Sequence, residues 1–236
     1  MVRMNENIVR REYFEDIPST NDYAKEKRCE KRDLLVVAKS QTGGRGTKGR
    51  SFSSKIGGLY LSLLTFYDHF PAENAFQIMQ NAAAAVCETL ARFGVTPTIK
   101  WPNDIYANGK KICGILIENQ FGGSRILSSV VGIGLNIYND LTEVKDIATS
   151  IELCTGKRVC VDEVERVLVD FLKKGVADKY AQYLGWIGEE VVLETAIEKI
   201  PARVLGVDEI GSLIALVDGE KRAFPSAEVR FAKESL

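Results

Sequence analysis

The chain's apolar positions follow two rhythms. Leu34-Leu-Val-Val-Ala38 is a short, continuous apolar run rich in β-branched residues, and Leu59-Tyr-Leu-Ser-Leu-Leu-Thr-Phe66 is another. Both suit buried strands. Asn74–Phe93 instead carries apolar residues at helical spacing around Ala82-Ala-Ala-Ala85, and Gly94 stands where a left-handed cap would close the helix. A shorter helix is predicted from Ser19-Thr20-Asn21-Asp22, a hydroxyl cap followed by an acid three residues on, to about Cys29. Ile99 to Tyr106 reads as strand around a proline. Asn108-Gly109 is a two-residue hairpin turn, and Lys111 to Glu118 returns as its second strand. Gly122-Gly123 makes the next turn, before a strand over Arg125 to Ile137. A loop of about a dozen residues then leads to Ser150. Val161–Tyr183 has helical periodicity.

After Gly185 the texture changes. Val191-Val-Leu, Ala202 to Val207, Leu213 to Val217 and Glu228-Val-Arg-Phe are short strands, separated by turns at Gly206, Asp208 to Gly211 and Asp218-Gly219. This spacing predicts a small barrel and a domain boundary near residue 186.

Composition narrows the chemistry. Lys+Arg is 31 against 32 Asp+Glu, which excludes a globally basic nucleic-acid binder. His69 is the only histidine and reads as an exposed residue of a turn (Tyr67 to Pro71), so triads and multi-histidine metal sites are disfavoured. Cys29, Cys87, Cys113, Cys154 and Cys160 are odd in number with no C-x-x-C pair. That argues against a disulfide framework or a zinc site and for a reducing cytoplasm. The stretch Met1 to Asn7 lacks the apolar segment of a signal peptide, and no run approaches the ~18 apolar residues of a membrane span.

Local charge is less even. Lys39, Arg45, Lys48, Arg50 and Lys55 fall in a window, 39–67, that has no acidic residue, and Gly43, Gly44, Gly46 and Gly49 lie among them. Such a loop suits an anion, because glycines let backbone N–H groups close on it. Gly44-Arg-Gly-Thr-Lys-Gly49 matches G-x-G-x-x-G, and Gly44 to Ser51 nearly matches a P-loop, with Arg50 for lysine. Both motifs need a helix next, whereas a strand follows here. A protein-kinase glycine loop fits strand–loop–strand, but no H-R-D or D-F-G follows. A solvated loop without ligand, or one tracking an RNA backbone, stays open at this point.

A second cluster is Lys100-Trp-Pro-Asn-Asp104 with Lys111 and Gly114. Asn103 and Asp104 offer oxygens for Mg²⁺, which takes one or two carboxylates plus phosphate and water, and the hairpin returns Lys111 towards Asp104. A Trp-Pro core element with a surface turn is the plain alternative. The third is Val130 to Asn136, a strand broken by Gly132 and Gly134, where a ligand or another backbone comes close.

Taken together, Ser19-Thr20-Asn21, Gln41-x-x-Gly-Arg-Gly-x-x-Gly-Arg50, Lys100-Trp-Pro-Asn-Asp104, Lys110-Lys111-x-x-Gly114 and Gly132-x-Gly-x-Asn136 resemble the biotin protein ligases in order and spacing. The resemblance covers roughly residues 10–232. It implies an α/β (α+β) fold with a mixed-sheet catalytic domain, related to class II tRNA synthetase cores, over 1–185. A small SH3-like C-terminal β-barrel would occupy 186–236. It implies activation of biotin by ATP as biotinyl-5′-AMP, with Mg²⁺, then transfer to a lysine of a biotin carboxyl carrier domain.

Under the resemblance, Ser19, Thr20, Asn21, Gln41, Gly44, Arg45, Lys111, Gly114, Gly132 and Gly134 would bind biotin. Arg45, Gly46, Lys48, Arg50, Phe52, Asn103, Asp104, Lys111 and Asn136 would bind ATP. Arg45, Lys111 and Asp104 would be catalytic, with Asp104 on the metal. Two departures stand out: the family often has arginine where this chain has Thr47, and tryptophan where it has Phe52. The sequence leaves no room ahead of Ser19 for the family's helix-turn-helix, so no DNA partner is expected, and none in a membrane. Homodimerisation is left open. Lipoate or octanoate ligases share the fold, but the polar Ser19/Thr20/Gln41 set favours a ureido ring. A non-catalytic nucleotide- or RNA-binding module is disfavoured by Asp104 and Lys111 beside the anion loop.

Overall fold

The apolar runs pair into one sheet, and the glycine-rich and charged segments gather on one of its faces. The computed structural model describes residues 10–226 and 229–232, with side chains at all of these but Lys48 and Arg230. In chain order the elements are β1 (Arg10–Ile17), α1 (Thr20–Glu26), β2 (Leu34–Gln41), β3 (Leu59–Pro71), α2 (Ala75–Arg92), β4 (Thr98–Lys100), β5 (Asp104–Ala107), β6 (Lys110–Gly122) and β7 (Arg125–Leu135). There follow α3 (Ile151–Thr155), α4 (Val161–Lys174), α5 (Tyr180–Tyr183), β8 (Glu190–Glu194), β9 (Lys199–Val207), β10 (Leu213–Val217), β11 (Glu220–Phe224) and β12 (Arg230–Phe231).

The main sheet has seven strands in the order β1-β2-β3-β7-β6-β5-β4. Only β1 and β2 run parallel, so it is a mixed sheet, as expected. One face carries Leu35, Val37, Leu61, Leu63, Ile115 and Ile133, all buried against α2 and α4. Ala82, Ala83, Ala84 and Ala85 are at most 1% exposed, and their small side chains let α2 lie close to the strands. Each large aliphatic side chain buried here contributes roughly 1.5–3 kcal/mol relative to exposure. Buried Asn81 closes the C-terminal end of α4: its amide donates to Leu172 O at 3.0 Å and accepts from Val176 N at 2.7 Å. Helix ends leave such groups unpaired, and a side-chain amide can satisfy both kinds.

Three expectations need correction, and one strand went unpredicted. Residues 67–71 are not a turn: β3 continues to Pro71, paired with β7 across a bulge, and His69 is exposed on a strand beside Arg125. The partner strand supplies ladder bonds that local propensity could not reveal. The helical pattern over 161–183 is broken at Gly175, whose φ of +73° ends α4 before the short α5. β1 carried no signal, since as an edge strand it buries only Ile17 outright. The C-terminal strands form an open antiparallel sheet, β11-β10-β9-β8-β12, and no ladder closes it into a barrel among the described residues. Its expected last strand starts at Glu228, outside the described residues, and Arg230–Phe231 pair with Glu194 and Leu193.

The core of this second sheet (Val191, Leu193, Val204, Leu213, Ala215, Phe231) also takes in Trp101 from between β4 and β5. The two sheets therefore meet at the Trp-Pro turn. We propose the unit boundary near residue 186, where Leu184 touches both cores.

Candidate active site

Strand register builds the site. Cross-strand partners place Tyr60, Gly134, Gly114, Asp104 and Lys100 in one row across β3, β7, β6, β5 and β4. Two residues along, Ser62 and Gly132 form a second row with Leu116. Side chains two apart on a strand share a face, so both rows line the face opposite α2. Three glycines in these rows leave a floor without side chains. A Cβ at Gly132 would overlap Asn21 Oδ1, one at Gly134 would press into the Phe52 ring, and one at Gly114 would crowd Phe52 and Lys111. Asn21, Phe52 and Lys111 thus stand directly over the floor.

One end is a buried polar network at the N-terminus of α1. Ser19 caps the helix, its Oγ accepting from Asp22 N. Gln41 Oε1 accepts from Thr20 N at 2.8 Å and from Thr20 Oγ1 at 3.0 Å. Ser62 Oγ lies 2.8 Å from Thr20 Oγ1 and 2.6 Å from Asn21 Oδ1. Asn21 Nδ2 donates to Glu118 Oε2 at 2.9 Å, and Lys25 holds the other oxygen of Glu118 at 2.7 Å. The two hydroxyl protons of Thr20 and Ser62 serve three contacts. Gln41 keeps a backbone donor either way, so the hydroxyls can reorient when a ligand arrives.

The other end is charged. Lys111 Nζ donates to Asp104 Oδ1 at 2.6 Å. A β-bulge between Ile105 and Tyr106 shifts the register so that Lys111 comes round to the face of Gly114 and Asp104. Its ammonium is 5.8 Å from the centre of the Phe52 ring, which in turn packs edge-on to Tyr60. Lys100, directly across from Asp104, sits over the Tyr106 ring, and burial pushes its ammonium below the ordinary lysine range, helped by Lys111 and Arg50 and opposed by Asp104.

The basic loop is itself a small hairpin. Phe52 N donates to Gly44 O, Gly46 N to Arg50 O, and Arg45 bridges Ser51. Gly44 is buried where a Cβ would meet Phe52 O and Ser54 Oγ at 2.6 Å, and Gln41 Nε2 bonds that Ser54 hydroxyl at 2.9 Å. Arg45 pairs with Asp22 at 2.8 Å while remaining largely exposed. Arg50 folds back on Thr47, its Nη2 donating to Oγ1 at 3.2 Å. Lys48 lies at the hairpin tip, in the short 3₁₀ turn of residues 47–49.

Sequence reasoning named residues at both ends, and two of them, both asparagines, bond the framework through their amides. Asn103 Nδ2 donates to Ile115 O at 2.8 Å, latching its turn to β6. Asn136 is buried, donates to Thr149 O at 3.0 Å and accepts from Asn139 at 3.1 Å. Both amides hold the framework. Ser62, Glu118 and Lys25 went unnamed, although a lone serine inside the apolar run 59–66 was a visible signal. Among the described residues no three His, Cys, Asp or Glu side chains gather as a metal cluster. No helix among them is long and apolar enough to cross a membrane.

Comparison with known proteins identifies the family. Residues 13–136 match the family described as Biotin/lipoate A/B protein ligase family. The chain is 34% identical over 197 residues to the bifunctional ligase/repressor BirA of Bacillus spizizenii, covering 76% of this chain and 60% of that protein. It spans 65% of the Bacillus subtilis counterpart, so it accounts for under two thirds of either protein's length. To the biotin--[acetyl-CoA-carboxylase] ligase of Paracoccus denitrificans it is 29% identical over 219 residues, 83% of this chain and 89% of that one. The biotin protein ligase from Aquifex aeolicus, solved in complex with biotin and ATP, superposes with a TM-score of 0.78 at 27% identity, over 95% of this chain and 99% of that one. The family match takes in over half of the residues and contains the glycine floor, the polar network and the Lys111–Asp104 pair, and on that ground the chain belongs to the biotin/lipoate A/B protein ligase family.

Proposed function

We propose that this chain is an ATP-dependent biotin protein ligase that joins biotin to a lysine of a biotin carboxyl carrier domain. One observation carries the reading. A floor of Gly114, Gly132 and Gly134 runs between a network of hydroxyl and amide groups and the Lys111–Asp104 pair, under one aromatic ring. This suits a flat substrate with a polar head, an apolar body and a carboxylate tail. The names of the Paracoccus and Aquifex relatives support it.

In the first step a carboxylate oxygen of biotin attacks the α-phosphorus of ATP, the bond to the β-phosphate oxygen breaks, and pyrophosphate leaves. In the second, a neutral lysine amine of the carrier attacks the carbonyl carbon, AMP leaves with the bonding electrons, and the nitrogen releases one proton to solvent. No protein nucleophile is needed, so rate must come from positioning and charge. Ser19, Thr20, Asn21 and Gln41, joined by Ser62, would hydrogen-bond the ureido ring. An analogue lacking those groups would leave them unpaired and bind weakly. Lys111 would neutralise charge shared between carboxylate and α-phosphate. Arg45 would leave Asp22 for the same anion, with Gly44, Gly46, Lys48 and Arg50 bringing hairpin N–H groups and cations over the phosphates. Phe52 would cover the site and exclude water from the anhydride. Asn103 and Asn136 would act through the loops they hold.

Asp104 Oδ1 faces Lys111, which leaves its second oxygen to Mg²⁺. A single carboxylate suits an ion that completes its shell with phosphates and water. When bound, the ion would supply charge neutralisation on the phosphates. Free cysteines in both buried and exposed positions fit the reducing, ATP-rich cytoplasm we propose as the compartment.

The test is ATP–pyrophosphate exchange with purified protein and Mg²⁺, run with biotin, with lipoate and with neither. Exchange with biotin alone is expected. Exchange with lipoate would overturn the pocket assignment, and exchange with neither would overturn the ligase reading.

A further inference from the structure

The turn that carries Asp104 is held by groups from distant parts of the chain. Trp101 Nε1 donates to Gly211 O at 3.0 Å, in the β9–β10 turn of the second sheet. Tyr180 Oη donates to Pro102 O at 3.2 Å from α5. Asn103 bonds β6 twice, through its amide to Ile115 O and through its carbonyl from Ile115 N at 3.1 Å. Trp101 is only 4% exposed and Tyr180 2%, so the Trp101 bond is buried and the Tyr180 bond partly so. They also interlock. Gly211 lies so close to Phe76 that a Cβ there would overlap the Phe76 ring, and Phe76 packs edge-on to Tyr180 at 5.6 Å. The residues so held, 101–103, separate Lys100 from its cross-strand partner Asp104, which in turn holds Lys111.

Resting on the ligase reading, we infer that Trp101 and Tyr180 are positioning residues for the adenylation step. They clamp the 101–103 turn from the second sheet and from α5, and so fix where Asp104 and Lys111 meet the reacting phosphate. Neither side chain is placed in the polar network that would take the biotin head group. Their loss should therefore separate turnover from biotin affinity. The second sheet then does more than stand beside the site: its β9–β10 turn is one jaw of the clamp.

Tyr180→Phe removes one oxygen and keeps the ring. It should lower kcat for biotin-dependent ATP–pyrophosphate exchange about ten-fold, the scale of one buried carbonyl losing its donor. Biotin affinity should stay within about two-fold, as expected for a group that acts only on the chemical step. Tyr183→Phe is the control. It deletes the same hydroxyl three residues on, where it bonds Glu88 at 2.6 Å, and exchange should be unchanged. In an Asp104→Asn background Tyr180→Phe should cost little more, because residues acting through one another are not additive. A loss that adds in full, an unchanged kcat, or a parallel loss of biotin affinity overturns the clamp. Amide hydrogen exchange at Ile115 reads the same turn without any turnover. Tyr180→Phe should accelerate it, and unchanged protection there overturns the clamp too. If the unaltered protein gives no exchange with biotin, the ligase reading fails, and the Ile115 amide still decides the clamp.

Discussion

Replacing Gly132 by alanine tests the geometry of the polar end most directly. The backbone there is not in the left-handed region, so alanine meets no conformational strain. The penalty is purely steric: the new methyl would occupy the position of Asn21 Oδ1. Asn21 is buried and must swing away, losing Ser62 Oγ at 2.6 Å and Glu118 Oε2 at 2.9 Å. Ser62 has a remedy, because it can turn its proton to Thr20 Oγ1 at 2.8 Å while Thr20 donates to Gln41. Glu118 keeps Lys25 but loses the amide. The net loss is then one hydrogen bond to a charged acceptor, about 1.5–3 kcal/mol. For a chain of this length, at about 2–4 °C per kcal/mol, that lowers the melting temperature by roughly 3–12 °C. Thermal unfolding reads the stability, and titration calorimetry the biotin affinity, which should fall about ten-fold or more with Asn21 displaced. In an Asn21→Ala background the same methyl no longer meets the Asn21 amide and should cost little. If Gly132→Ala costs nothing, or costs the same in both backgrounds, the overlap is not what links these residues.

Lys111→Ala should reduce single-turnover adenylate formation by about 10²–10³, the range for removing a charge-stabilising donor, while biotin affinity is largely kept. Near-normal adenylation would remove Lys111 from the mechanism. Asp22→Asn frees Arg45 from an exposed ion pair, so the melting temperature should move little. Amides of Gly46 and Phe52 should nevertheless exchange faster, and unchanged exchange would mean Asp22 does not tether the hairpin. Glu165 is buried on α4 beneath Tyr13 and Arg11, and burial raises its carboxyl above the ordinary 4.5, with both neighbours opposing. The folded chain thus keeps this proton to a higher pH than the unfolded chain, and stability falls as pH climbs from about 4.5 through the raised value. Glu165→Gln should be stabilised relative to the parent at pH 7 and lose that advantage near pH 4. A difference independent of pH refutes the assignment.

Much of the site was legible because its residues announce themselves locally. Ser19 to Asp22 is a cap, Asn108-Gly109 is a turn, and the two glycines at 132 and 134 interrupt a β-branched run. Those local signals placed α1, the β5–β6 hairpin and the floor. What escaped depends on partners far away in the chain. β1 is polar on most positions and exists because β2 offers a parallel edge. Residues 67–71 stay extended because β7 lies alongside. The occupation of the Asn103 and Asn136 amides could not be read from a motif either, since a side-chain amide serves a ligand or a loop equally well until its surroundings are known. Trp101 belonged to a recognisable motif, yet its place in the core of the other sheet is a tertiary fact.

The glycine floor bears on how selectivity here could be changed. A surface made of main chain has no rotamers to adjust, so its shape is set by strand pairing across β3, β7 and β6. Any substituent added there intrudes on Asn21, Phe52 or Lys111. The surrounding walls at Thr20, Gln41 and Ser62 are side chains and can be exchanged one at a time. Directed alteration of the accepted acid should therefore succeed at those walls and fail at the floor: the head group is open to redesign, while the thickness of the acid is settled by the sheet.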